Sequence, residues 1–203
     1  MSILQALEWK NRIENLYACF DDNEVLWHSM HVQKLTMTLY ATLPEVYRCK
    51  VDPVDLEVAA LMHDIGKLEI PRAILYKPAK LDEAEWEIIR THPELGARAL
   101  DNIGIPSEIA KWVLYHHERI DGRGYYHLKG KDIPTASRII AITDTYSAIT
   151  MKRAYEGERT HQNAISIIRE VSGTQLDKGI ADVFVRIPKN SLDRCRPTTI
   201  VND

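Results

Sequence analysis

Apolar residues return along this chain with a helical period from near its start to near its end. Ile13, Leu16, Tyr17 and Phe20 recur at i, i+3, i+4 and i+7 and mark one face of a first helix. Asp21-Asp22-Asn23 interrupts that face and can cap a second helix. The second helix runs to about Thr42, before Pro44, on a stripe of His28, Val32, Leu35 and Leu39. A third begins near Pro53, carries Leu56, Ala59, Ala60 and Met62, and leads into His63-Asp64, after which Gly66 loosens the chain. Asp82 followed by Glu85 has the form of a capping box opening a helix through Arg90. His92-Pro93 predicts a break, because the residue before proline is driven out of the α region. Another helix then runs to about Ile103. Pro106-Ser107 starts one that ends in His116-His117-Glu118, and Pro134 starts one that reaches about Met151. Residues 120–132, with Gly122, Gly124 and Gly130, form the longest loop. A last pair of helices covers about 161–171 and 178–186. No stretch alternates strictly between turn signals, so the pattern predicts an all-α fold.

Composition narrows the picture. The 203 residues suffice for one well-buried core. The expected organisation is an N-terminal helix at 1–22 packing on a domain at 23–186, with a polar, mobile tail at 187–203. Lys+Arg is 26 against Asp+Glu 29, a formal net charge of −3, which argues against a DNA or RNA duplex as partner. Cys19, Cys49 and Cys195 are too few and too widely spaced for a disulfide framework, which points to a reducing cytoplasm. No signal-type apolar segment opens the chain, and nowhere do about 18 apolar residues run together, so no membrane association is expected.

The chemistry lies in the histidines. Of eight, His28, His63, His92, His116 and His117 fall at helix ends or on an apolar stripe. His63-Asp64 closes an apolar helix, where an imidazole and a carboxylate are costly unless paired or bound to metal. His116-His117 closes another. Adjacent helical residues point about 100° apart, so such pairs reach different ions or different sides of one. A two-oxygen carboxylate such as Asp64 suits a bridge between two metals about 3.5–4 Å apart. Asp144, flanked by Ile140 and Ala148 on its helical face, also needs a partner. An Arg or Lys from another helix would serve; beside the two His-containing pairs, a metal is the better reading. Glu24 lies one turn before His28 and reads equally as a ligand or as a first-turn capping carboxylate. His31 competes with His28 by position.

His63-Asp64-Ile65-Gly66-Lys67 resembles the H-D-x-G-K motif of HD-domain phosphohydrolases. Ile70-Pro71, Lys77-Pro78-Ala79-Lys80-Leu81, His92-Pro93-Glu94-Leu95-Gly96 and the run His116 to Tyr125 resemble the HD-GYP subfamily, as do Ile133-Pro134, Arg138-Ile139, Asp144, Thr150 to Tyr155, and Ser172-Gly173-Thr174 with Asp177. The resemblance covers about 24–186. It implies an HD-domain helical bundle with a multi-metal site in its core, holding two or three divalent ions, Fe or Mn favoured and Zn allowed. It implies a bacterial phosphodiesterase that hydrolyses cyclic di-GMP to pGpG or GMP, or the related cyclic GMP-AMP, by a metal-activated hydroxide. The implied ligands are Glu24 (for a third ion), His28 rather than His31, His63, Asp64 as bridge, His92, His116, His117 and Asp144. Asp64 and Lys67 are the implied catalytic residues; Lys67, Gly124, Tyr125 and Arg153 the implied substrate contacts.

Four positions depart from the subfamily pattern. Tyr126 replaces the G-Y-P proline, the loop to Gly130 is one residue short, Ser147 stands where Asp is common, and Glu156 where Lys is common. All touch the loop or pocket wall, so two alternatives stay open: a cyclic-dinucleotide sensor or interaction module with little catalysis, and an HD hydrolase for another nucleotide. The chain leaves no room for a fused receiver, PAS or GAF-like sensor. It therefore stands alone, meets its signal through a partner signalling protein, or is an excised domain.

Overall fold

The structure, a computed structural model, describes Leu4, Leu7, Glu8 and residues 23–151 and 161–197. The expected first helix around Ile13–Phe20 lies outside the described residues. So do Lys152, Arg153 and Glu156.

Eleven α-helices follow in the described residues: α1 Asn23–Thr42, α2 Glu45–Arg48, α3 Pro53–Met62, α4 Arg72–Leu75, α5 Glu83–Arg90, α6 His92–Asn102, α7 Ser107–Leu114, α8 Thr135–Thr150, α9 His161–Val171, α10 Lys178–Phe184 and α11 Lys189–Asp193. Two 3-10 turns, Ile65–Glu69 and Gly130–Asp132, complete them. A single parallel bridge between Ser172 and Leu176 is the extent of β-pairing among the described residues.

Local chemistry sets the helix starts. Pro53 opens α3, and the Asp52 carboxylate accepts from the amides of Val54 and Asp55. Asp82 and Glu85 form the expected capping box on α5. Asp177 caps α10 through the Ile180 amide and takes Arg138 Nη1 of α8 at 2.6 Å, tying two elements together.

The core forms around α3, whose Leu56, Val58, Ala59, Ala60, Leu61 and Met62 are all buried. Its second half, residues 58–62, is apolar all round and belongs inside, while Asp55 and Glu57 keep its first half at the edge. It packs on α1 and α7, while α1 and α9 lie along α8 and α6 lies across the first 3-10 turn. Val32, Leu35 and Leu39 of α1 meet Ile109 and Val113 of α7, Ile139, Ile140 and Ile142 of α8, and Phe184 of α10 in one cluster.

Four expectations need correction. Gly66 does not loosen the chain. A Cβ there would collide with the His92 carbonyl oxygen and lie 2.5 Å from the Gly96 nitrogen. Glycine lets the turn after Asp64 press against α6, and this brings His92 to Asp64. The break at His92-Pro93 falls one residue earlier, at Thr91, and His92 is already helical with Pro93 in the first turn, where no amide is missed. The one-turn helices α2 and α4 were not foreseen, being too short to show a period. Finally, the segment beyond 187 is not a plain tail: it forms α11 and buries Leu192 and Cys195 against the core cluster.

Gly66→Ala should therefore cost about 1–3 kcal/mol, the usual range for overpacking. Urea unfolding checks this; an unchanged midpoint would show that the turn and α6 can separate without loss.

Candidate metal centre

Seven of the residues expected as ligands converge. Asp64, His92, His116 and His117 form one group whose ligand atoms all lie within 4.8 Å of one another. His28, His63 and Asp64 form a second, and His63, His116 and Asp144 a third. Asp64 joins the first two. Its Oδ1 lies 3.2 Å from His92 Nε2; its Oδ2 lies 3.3 Å from His63 Nε2 and 3.6 Å from His28 Nε2. Asp144 Oδ1 sits 2.9 Å from His28 Nε2 and 3.9 Å from His63 Nε2. The two oxygens of one carboxylate thus face two sets of imidazoles.

Helix ends aim these rings. His63 follows α3, and its Nδ1 donates to the Ala60 carbonyl at 2.9 Å. His92 follows α5 and donates to Ile89 O at 2.7 Å; His116 follows α7 and donates to Val113 O at 2.6 Å. A carbonyl only accepts, so each ring carries its proton on Nδ1 and turns a bare Nε2 to the centre. His28 sits in α1, away from any helix end. Its Nδ1 meets the Ser147 hydroxyl at 3.0 Å instead, and the same oxygen lies 2.9 Å from His31 Nδ1. This separates His28 from its competitor: His28 faces the carboxylates, whereas His31 faces Ser147.

The residues fit divalent metal. His63 Nε2 and Asp64 Oδ1 are buried with no hydrogen-bond partner, an arrangement that is costly unless something else is bound there. An imidazole and carboxylate donor set without thiolate suits Fe, Mn or Zn.

Electrostatics agree. Burial, with the neighbouring His117, His63 and His92, holds the His116 imidazole well below its ordinary value. Burial takes His117 down to about 3 and lowers His28 against the pull of Asp144. His63 goes the other way: burial resists, and the Asp64 carboxylate prevails. Burial resists the charge on Asp64 too, but Lys67 and His63 keep it well below the carboxylate range. At Asp144 burial again resists, and the hydrogen bond from His28 prevails in the same direction.

The other expected residues are placed as follows. Lys67 Nζ reaches Asp64 Oδ2 at 2.5 Å. It lines a cavity of about 420 Å³ together with His116, His117, Arg119, Tyr125, Asp144 and Gln175. The Tyr125 ring lies 4.9 Å from that of His117, with Arg90 over its face at 5.7 Å. Gly124 serves packing: a Cβ would come 2.6 Å from Glu118 Cα. Glu24 is exposed in the first turn of α1 and belongs to none of the three groups.

Sequence reasoning passed over Glu118 and Gln175. Glu118 is buried, and its two oxygens accept from the Tyr126 and Leu128 amides, both at 2.6 Å. It ties down the glycine-rich loop that walls the cavity. Arg119 binds Asp121 through Nη2 at 2.7 Å and Gln175 Oε1 through Nη1 at 3.0 Å, joining that loop to the turn after α9. The acid placed directly after His116-His117, before a loop of unpaired amides, was the available signal for Glu118. Nothing local marked Gln175, which is 56 residues from Arg119.

A family model described as HD domain matches residues 35–180. The chain belongs to the HD-domain family. This HD domain is 35% identical over 180 residues to a cyclic di-GMP phosphodiesterase of Vibrio cholerae, covering 82% of the chain and 36% of that protein. It is 32% identical over 187 residues to a cyclic di-GMP phosphodiesterase of Thermotoga maritima, covering 89% and 49%. It is 42% identical over 133 residues to a 3'3'-cGAMP-specific phosphodiesterase of V. cholerae, covering 64% and 31%. The chain thus spans about a third to a half of the length of these relatives. Its fold is similar to Bd1817, an HDG"Y"P protein from Bdellovibrio bacteriovorus, with a TM-score of 0.64 at 18% identity, over 81% of this chain and 52% of that one.

The pH dependence of the metal-free HD domain follows from the histidines. His28, His31, His116 and His117 have folded pKa values below 6.5. Just below 6.5 the unfolded chain therefore binds more protons, and acid favours unfolding. Asp64 and Asp144, depressed below 3.8, add the same sign at lower pH. His63, raised above 6.5, contributes stability that is present in acid and lost as pH rises through its folded value. Burial lowers His161 as well, and the five lowered imidazoles outweigh the one. Melting temperature without metal should fall steadily from about pH 7 to about pH 5; a flat profile in thermal scans would contradict the burial of neutral imidazoles.

Proposed function

We propose that this HD domain is a metal-dependent phosphodiesterase that hydrolyses a cyclic dinucleotide, cyclic di-GMP in the first place, to pGpG or GMP. The observation that carries the reading is the Asp64 carboxylate. It divides two sets of imidazoles, and His116, His117 and Asp144 of the same centre line a cavity together with Lys67. The named activities of the V. cholerae and T. maritima relatives support it.

His28, His63 and Asp144 would hold one ion and His92, His116 and His117 a second, with Asp64 between them. The donor set favours Fe or Mn, with Zn allowed. Glu24 would serve a third ion. When bound, such ions lower the pKa of a water and neutralise a phosphodiester. The chain's own residues supply the rest. Lys67 is a flexible point charge that can leave Asp64 for a phosphate oxygen as negative charge develops. Tyr125 covers His117 and walls the cavity against water. Arg119, held by Asp121 and Gln175, presents a fixed cation at the same wall. Arg153 is the remaining substrate contact implied by the resemblance. The unbonded thiols of Cys49 and Cys195 support a reducing, cytoplasmic location. No described helix is long and apolar enough to cross a membrane.

Anaerobic purification, a metal count per chain, and chromatography of cyclic di-GMP and cyclic GMP-AMP test the reading. Two ions with pGpG or GMP appearing is the expected result, and a third ion would bring in Glu24. A filled centre with both dinucleotides intact would instead favour a binding module or another nucleotide. Asp64→Ala should release metal and abolish turnover; full activity in that variant would overturn the proposal. Lys67→Ala should keep its metal and lose about 10²–10³-fold in kcat, the range for removal of one charge-stabilising donor.

A further inference from the structure

Three hydroxyls of α8 turn back on their own helix, and one of the others stands out. Thr143 and Thr145 donate to the carbonyls of Ile140 and Ala141, and Thr150 to that of Tyr146, three or four residues back on their own helix. Ser147, fully buried on the same helix, lies between two imidazoles of α1, 3.0 Å from His28 Nδ1 and 2.9 Å from His31 Nδ1. His31 is buried as well, and its Nε2 has no hydrogen-bond partner.

The other three rings of the centre with a hydrogen-bonded Nδ1, His63, His92 and His116, rest on carbonyls, which accept and cannot donate. Their tautomer is fixed by the partner alone. A hydroxyl fixes nothing by itself, because it donates as readily as it accepts. If Ser147 donated to His28 Nδ1, the ring proton would sit on Nε2, the atom that faces Asp64 and Asp144. Ser147 becomes a dependable acceptor only when its own proton has another destination. His31 Nδ1 is that destination.

We propose that Ser147 and His31 act together as positioning residues for His28: without metal His28 Nε2–H donates to Asp144 Oδ1 at 2.9 Å, and with metal at Nε2 the proton order would be His28 Nδ1–H to Ser147 Oγ and Ser147 Oγ–H to His31 Nδ1, so that His28 presents a bare Nε2 to the metal centre. His31 is thus a working part of this site without touching metal or substrate. The pair does jointly what a single acceptor-only group does for the other rings. This rests on the metal-centre reading above.

The test uses the full chain, stripped with chelator and reloaded with zinc(II), which is diamagnetic. Nitrogen-15 NMR then reads the tautomer of each histidine. The expected result is a proton on Nε2 of His31 and on Nδ1 of His28. A wild-type protein that binds zinc with the His31 proton on Nδ1 overturns the relay and leaves the metal centre standing; failure to bind zinc at all overturns both. Two variants give a second readout. His31→Leu should lower zinc affinity about 10–100-fold, as expected for loss of an outer-sphere partner. Ser147→Asp combined with His31→Ala, which supplies a carboxylate acceptor and the space for it, should restore that affinity. Competition titration against a chelator measures both, with melting temperatures to confirm folding. Unchanged affinity in folded His31→Leu, or no recovery in the folded double variant, overturns the proposal.

Discussion

A single buried carboxylate sets the terms for this molecule. Asp64 sits at the end of the most apolar helix in the chain, where an unpaired charge would be prohibitive. It is tolerable because Lys67 and the imidazoles of His28, His63 and His92 gather around its two oxygens. The surrounding architecture serves that gathering. Alanines in α3 let α1 lie close, Gly66 lets the turn press on α6, and α7 ends where His116 can enter from the far side.

Much of this was legible in the sequence, for definite reasons. Periodicity, capping residues and prolines gave the bounds of α3, α5 and α8 and the start of α7 to within about two residues, because those signals are local, while α7 ends at Leu114, short of the expected His116-His117-Glu118. His63, Asp64, His116 and His117 were legible because a His or an Asp closing an apolar helix is costly there unless it is paired or bound, and Asp144 because a carboxylate on an apolar face needs a partner, whereas His28 and His92 were assigned as ligands through the resemblance. What stayed hidden was non-local. The part played by Gly66 depends on the carbonyl of His92, well along the chain, and that of Gln175 on Arg119. His28 and His31 could not be separated by spacing alone, since both lie near the same stripe; the direction of each ring, set by Ser147 on α8, separates them. Helix α11 was missed because five residues carry too little pattern to register.

Helix termini do double duty here. The last turn of a helix has carbonyls without intrahelical partners. In α3, α5 and α7 a carbonyl of that turn holds the Nδ1 proton of the histidine that follows. Ending a helix and aiming a ring are thus one event, and the geometry of the centre is inherited from helix packing rather than from loops. Among the four rings with a hydrogen-bonded Nδ1, His28, inside its helix, is the exception and relies on the Ser147 side chain of a second helix.

The wall of the cavity is built on a different plan. Glu118 fastens it by accepting from two main-chain amides, those of Tyr126 and Leu128. Proline has no amide hydrogen, so the first of these two bonds exists because Tyr126 stands where the subfamily has proline. The centre is built from side chains that meet at one carboxylate, and its rim from backbone amides held by one glutamate. Selection could retune what enters this cavity while the reaction centre beneath it stays the same.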